Sequence, residues 1–135
     1  MESQTLIALA RAAAEKAWAP YSRFRVGAAL LCADGTVITG VNVENRSFGL
    51  TNCAERSAVF AALSAGKKEF SALALCCIDA DYPVPPCGAC RQVLSEFAGK
   101  DLPVYCAGKK DEITAFTIGE LYPHDSLHEL GSRGS

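Results

Sequence analysis

The chain has 135 residues, half of them apolar, a length suited to one domain built around one hydrophobic core. Thirteen basic residues against fifteen acidic ones give a net charge of −2, and no basic run exceeds the pairs Lys67-Lys68 and Lys109-Lys110, which argues against a nucleic-acid partner. No apolar stretch approaches the roughly eighteen residues that span a bilayer, no secretion signal is visible, and the seven cysteines lack the spacing of a small secreted scaffold. The expectation is a cytoplasmic protein with reduced thiols and no membrane partner.

Apolar residues recur at helical spacing from Thr5 to Trp18, and Pro20 closes that pattern, so the first element is a helix. Val26 to Ala33 and Thr36 to Val43 read as two strands joined at Asp34-Gly35, a two-residue turn signal, and so as a hairpin. Thr51 or Asn52 caps a second helix that runs to about Ala65 and stops at Gly66. Phe70 to Ile78 is almost continuously apolar, the pattern of a central strand covered on both faces. Pro83, Pro85 and Pro86 stiffen the loop that leads into a third helix, roughly Gly88 to Phe97. Val104 to Ala107 and Ile113 to Thr117 are short strands, and a last helical turn begins near Gly119.

This order predicts an α/β fold, a three-layer α/β/α sandwich around a mixed five-stranded sheet, because the helical crossovers must cover both faces. Residues 1–130 form a single domain in this reading, and Gly131-Ser132-Arg133-Gly134-Ser135 a disordered tail. A positive mean hydropathy in so short a chain points to apolar surface shared between subunits, hence a homo-oligomer.

Cys87 and Cys90 stand three residues apart at a helix start, where a rotation of about 300° returns both thiols to one side and lets them share an ion. Cys53 opens the other helix. Both helix N-termini favour the thiolates that zinc requires. Residues i and i+2 point about 200° apart along a helix, so Cys53 and Glu55 converge only in the first turn, where a ligand meets them end-on beside the Ala54 N–H. Three protein ligands leave zinc a fourth position for water, the arrangement of a catalytic rather than a structural site. A redox dithiol leaves Cys53-Ala54-Glu55 unexplained. Cys32, Cys76, Cys77 and Cys106 lie inside apolar strands and read as small buried hydrophobes.

Four motifs together carry a resemblance: Ser22-Arg23-Phe24-Arg25-Val26-Gly27-Ala28-Ala29-Leu30, Asn42-Val43-Glu44-Asn45, Cys53-Ala54-Glu55-Arg56 and Pro86-Cys87-Gly88-Ala89-Cys90-Arg91-Gln92. The resemblance runs over nearly the whole chain, from Pro20-Tyr21-Ser22 to Glu120-Leu121, and is to the cytidine deaminases, specifically the short homotetrameric type. The resemblance implies one zinc ion per subunit and hydrolysis of cytidine and 2′-deoxycytidine to the uridine forms and ammonia, in pyrimidine salvage. It also implies active sites near subunit interfaces. Glu55 then moves protons from the attacking water to the base. Asn42 and Glu44 match positions that bind the ribose 3′-hydroxyl, Phe24 an aromatic packed against the substrate, and the Ala54 N–H a donor to cytosine O2; Asn45 and Phe48 extend the pocket wall.

Three thiolates and one zinc ion sum to −1, a charge that opposes ionisation of water unless positive groups offset it. Arg56, three residues after Cys53, is placed to reach back to a ligand sulfur, and Arg91 is a second candidate. The C-terminal part departs from the family pattern: no aromatic follows Tyr122, where oligomeric relatives send one into a neighbour's site. Either Tyr122 or His124 takes its place, or the pocket is more open on that side.

Overall fold

The structure, a computed structural model, describes residues 1–127 and Leu130; the expected tail at 131–135 lies outside the described residues. Helix α1 (Ser3–Ala14) is followed by strands β1 (Val26–Cys32) and β2 (Val37–Val41), helix α2 (Ala54–Ser64), strand β3 (Phe70–Cys77), helix α3 (Gly88–Phe97), strands β4 (Pro103–Ala107) and β5 (Ile113–Thr117), and the short α4 (Ile118–Leu121). A 3₁₀ turn at Phe48–Leu50 was not expected from the sequence.

Among the described residues the five strands form one sheet in the order β2-β1-β3-β4-β5. Only the β3–β4 pair is parallel, joined through α3, so the sheet is mixed as predicted. Strand β3 lies in the middle, and residues 72 to 77 are buried, which explains its uninterrupted apolar run. Successive side chains point to opposite faces. One face, with Ala29, Ala72, Ala74 and Cys76, packs on Leu6, Ile7 and Ala10 of α1. The other, with Ala28, Leu30, Leu73, Leu75 and Cys106, packs on Ala58, Val59 and Ala62 of α2 and Leu94 of α3. Two glycines set how closely the layers meet. A Cβ at Gly27 would lie 2.0 Å from the Ala10 carbonyl oxygen of α1, and one at Gly40 would lie 2.4 Å from Ala58 N of α2.

Several element boundaries differ from the sequence reading, and three of the differences have a clear physical cause. Helix α1 ends at Ala14 rather than Trp18. Trp18 instead donates its N–H to Asn42 O and forms a parallel bridge with Val43, so a strand-like partner overrides the helical period. The hairpin loop has three residues, Ala33 to Gly35: Cys32 N donates to Thr36 O, and Gly35 adopts φ 91° while its N–H donates to Cys32 O. The N-cap of α2 is Cys53, because Asn52 is held in an antiparallel bridge to Val43. The C-terminus of α2 closes as expected. Gly66 takes φ 83° and donates to Leu63 O while Lys67 N donates to Ala62 O, the paired bonds of a Schellman motif.

Candidate active site

Helices α2 and α3 both point their N-termini at one spot on the same side of the sheet. Cys53 is the N-cap of α2, Cys87 the N-cap of α3, and Cys90 sits in the first turn of α3. Neither N-cap side chain caps its own helix backbone, and the two thiols face each other instead. The Cys53 and Cys87 sulfurs are 3.8 Å apart, those of Cys87 and Cys90 3.4 Å apart, and all three lie within 4.8 Å of one another. Sulfurs on a tetrahedral zinc ion with bonds of about 2.3 Å are separated by about 3.8 Å, so the cluster fits that ion. No other group of ligating side chains of this kind occurs among the described residues. Cys32, Cys76, Cys77 and Cys106 are buried in strands, and all seven cysteines are free of disulfides.

The electrostatics of the cluster suit a cation. Cys53 is lowered to about 5 by the Cys90 thiol's hydrogen bond and, against the cost of burial, by Arg56 and Cys87. Cys90 is pushed up, first by Cys53 and then by its own burial. Ionising Cys53 therefore opposes ionising Cys90, a conflict that a bound cation relieves. Arg56 places a positive charge against the cluster: its guanidinium donates to Cys53 Sγ at 3.2 Å. The buried Arg56 Nε has no hydrogen-bond partner among the described residues. Arg91 departs from the expected sulfur contact. It donates to Pro86 O at 2.8 Å and to Leu121 O at 3.0 Å, tying the turn before Cys87 to α4, because its side chain leaves α3 on the side of those carbonyls.

Glu55 is buried beside the sulfurs at the second position of α2. Burial, reinforced by the Cys53 charge and opposed by a backbone N–H, raises its carboxyl to about 7. A group poised there exchanges protons readily at neutral pH. Cys53, Ala54, Glu55 and Cys87 form the floor of a cleft of about 240 Å³, whose walls include Phe24, Val26, Asn42, Glu44, Leu75 and Pro85. The first-turn N–H of Ala54 has no helical partner and is free for a ligand. A larger hollow of about 440 Å³, lined by Ser95, Lys100, Tyr122 and His124, holds none of the zinc set.

Comparison with known proteins places this geometry. Residues 1–106 match the model of the cytidine and deoxycytidylate deaminase zinc-binding region. The chain belongs to that family. It is 52% identical over 123 residues to the cytidine deaminase of Halalkalibacterium halodurans, covering 91% of this chain and 92% of the relative. Identity to the cytidine deaminase of Sporosarcina psychrophila is 49% over 123 residues, 91% of this chain and 90% of the relative. Among solved structures, cytidine deaminase from Burkholderia pseudomallei superposes with a TM-score of 0.89 at 47% identity, over 93% of this chain and 99% of that one.

Within this deaminase fold the remaining sequence-derived residues fall into two groups. Phe24, Asn42, Glu44 and Ala54 reach the zinc-side cleft. Asn45 and Phe48 do not line it. Asn45 accepts from Ser47 N and donates its own N–H to Thr51 Oγ1, while Phe48 is 73% exposed, edge-on to Tyr21 at 5.6 Å, and borders an adjoining hollow. Asn42 and Glu44 lie beyond the end of β2 and are bound to backbone: Asn42 bridges Val26 N and Phe24 O, and Glu44 accepts from Tyr21 N and Ser22 N. Sequence reading assigned no role to Ser22, although a serine whose hydroxyl can meet the N–H two residues on is a local turn signal. Tyr122 donates its hydroxyl to Gln92 at 2.6 Å, and with His124 it borders the larger hollow of its own chain.

Proposed function

We propose that this protein is a zinc-dependent hydrolase that deaminates cytidine and 2′-deoxycytidine to uridine and 2′-deoxyuridine with release of ammonia, in pyrimidine salvage. The observation that carries the reading is a three-sulfur cluster of zinc dimensions with a buried carboxylate beside it, in a chain of the cytidine and deoxycytidylate deaminase family.

Cys53, Cys87 and Cys90 would hold the zinc ion, which would supply Lewis-acid activation of water at neutral pH. Glu55 takes one proton from the attacking water and passes it to N3 as the oxygen bonds to C4 of the ring. It then moves the remaining hydroxyl proton to the amino nitrogen, so that C4=O forms, the C4–N bond breaks and ammonia leaves. A carboxyl poised at about 7 suits both transfers. The Ala54 N–H holds cytosine O2, Phe24 packs against the substrate, and Asn42 and Glu44 take the ribose 3′-hydroxyl. Arg56 offsets the thiolate charge by its bond to Cys53. Burial of Glu44 favours a neutral hydroxyl over a 3′-phosphodiester, whose charge would oppose its own. Phe48 borders the hollow that adjoins the cleft at Glu44, and Asn45 holds the local turn through Ser47 and Thr51.

The protein acts as a cytoplasmic homotetramer with sites near subunit interfaces. Supporting that, Phe48 and Leu50 are each 73% exposed, Phe48 in the hollow that adjoins Glu44, and free thiols suit a reducing compartment. No helix among the described residues is long and apolar enough to cross a membrane. A substrate panel of cytidine, deoxycytidine, cytosine and CMP, read by ammonia release, tests the reading: turnover of both nucleosides is expected, and turnover of CMP without cytidine overturns it. Mass determination in solution tests the tetramer.

A further inference from the structure

The wall of the cleft opposite the sulfurs rests on side-chain hydrogen bonds rather than on regular structure, and these converge on Ser22. Its N–H donates to Glu44 Oε1 at 3.0 Å, alongside that of Tyr21 at 2.9 Å. Its hydroxyl donates to Glu44 Oε2 and accepts the N–H of Phe24 at 3.0 Å. Between Ser22 and Phe24, Arg23 is held at φ 59°, the left-handed region that a residue with a Cβ occupies only when its surroundings hold it there. One hydroxyl thus fixes both the backbone that carries Phe24 and the rotation of the Glu44 carboxylate.

The placement on Oε2 matters. A carboxylate offers about four acceptor positions, and the bonds from Tyr21 and Ser22 occupy three, two on Oε1 and one on Oε2. The open position is therefore on the oxygen that the Ser22 hydroxyl orients. Glu44 lines the cleft at 9% exposure, so its carboxylate cannot rely on water to hold its direction.

We propose that Ser22 is a positioning residue for substrate recognition, aiming Glu44 Oε2 at the sugar hydroxyl and seating Phe24 against the substrate. It acts through those two residues and does not touch the reacting atoms. This rests on the nucleoside reading above, and the experiment separates the two.

Steady-state kinetics on cytidine for the zinc-loaded wild type, Ser22→Ala and Ser22→Thr are compared with zinc content. In Ser22→Ala the KM for cytidine is expected to rise about tenfold, the loss of one charge-assisted hydrogen bond, with kcat within about twofold and zinc retained. Ser22→Thr, which keeps the hydroxyl, restores KM. A merely structural role would lower thermal stability and leave KM in place. An unchanged KM in Ser22→Ala, a fall in kcat alone, or failure of threonine to rescue overturns the inference. If the alanine variant does not fold, Ser22→Cys takes its place: its weaker hydrogen bonding should give an intermediate rise in KM, and a wild-type KM overturns the inference. Wild-type protein that does not turn over cytidine overturns the functional reading, and this inference with it.

Discussion

The two walls of the cleft are built by opposite means. On the sulfur side, Cys53, Glu55, Cys87 and Cys90 ride on two helix N-termini packed against a buried sheet, so their positions follow from regular backbone geometry. On the recognition side, Phe24 and Glu44 sit in non-repetitive chain, and what holds them is a set of side-chain bonds from Ser22, Asn42 and Glu44 to backbone. The chemical wall is thus rigid by packing and the recognition wall by local hydrogen bonding. Damage to the first should appear in kcat, metal content and global stability; damage to the second should appear mainly in KM.

The largest expected effect lies on the chemical wall. Glu55→Gln should lower kcat about 10²- to 10⁴-fold while zinc, measured by metal analysis, stays bound. Near-normal turnover by that variant would remove Glu55 from its role. Next in size is Arg56→Gln. Arg56 is one of the groups that lower Cys53, so without it protons compete for that thiolate at higher pH. Zinc release on acidification should therefore begin at higher pH, with metal affinity reduced about 10- to 100-fold at neutral pH; an unshifted release curve counts against the charge argument.

Gly40→Ala asks whether packing alone sets the chemical wall. Its Cβ would press on Ala58 N and, at 2.6 Å, on Ala54 O in the first turns of α2. A loss of about 1–3 kcal/mol in denaturant unfolding is expected, together with reduced kcat; full activity despite lost stability would separate the two.

The smallest effect belongs to the recognition side. Asp79 accepts from Arg25 N and from the guanidinium Nη2 and Nε at 2.8 and 3.0 Å, fastening the chain next to Phe24 to the turn just past β3. Arg25 holds its carboxyl at about 2, below an unfolded value of about 3.9. Its contribution is thus complete above the unfolded value and fades as pH falls through about 2. Asp79→Asn should cost about 1 kcal/mol at neutral pH, in a pair that is partly exposed, and the difference from wild type should shrink on acidification. A difference that is constant with pH would assign the cost to packing instead.

The sequence alone identified the elements that carry strong local signals. Helix α3 runs from Gly88 to Phe97 and β5 from Ile113 to Thr117 as read, because a proline-led start and β-branched residues act over a few neighbours. The three-sulfur cluster and Glu55 were legible for the same reason: their spacing has meaning only at helix starts. Three features were decided by partners distant in sequence. Helix α1 stops short of Trp18 because Trp18 pairs with Val43, and α2 begins after Asn52 because Asn52 pairs with Val43 as well. Arg91 looks like Arg56 in the sequence, each standing just after a zinc ligand, yet only Arg56 meets a sulfur; Arg91 bonds to Pro86 and Leu121, and Leu121 reaches it only after β4 and β5 are in place. Short-range spacing thus determined the metal chemistry, whereas the recognition wall required Ser22 and Glu44 to meet across the fold, a contact no local pattern encodes.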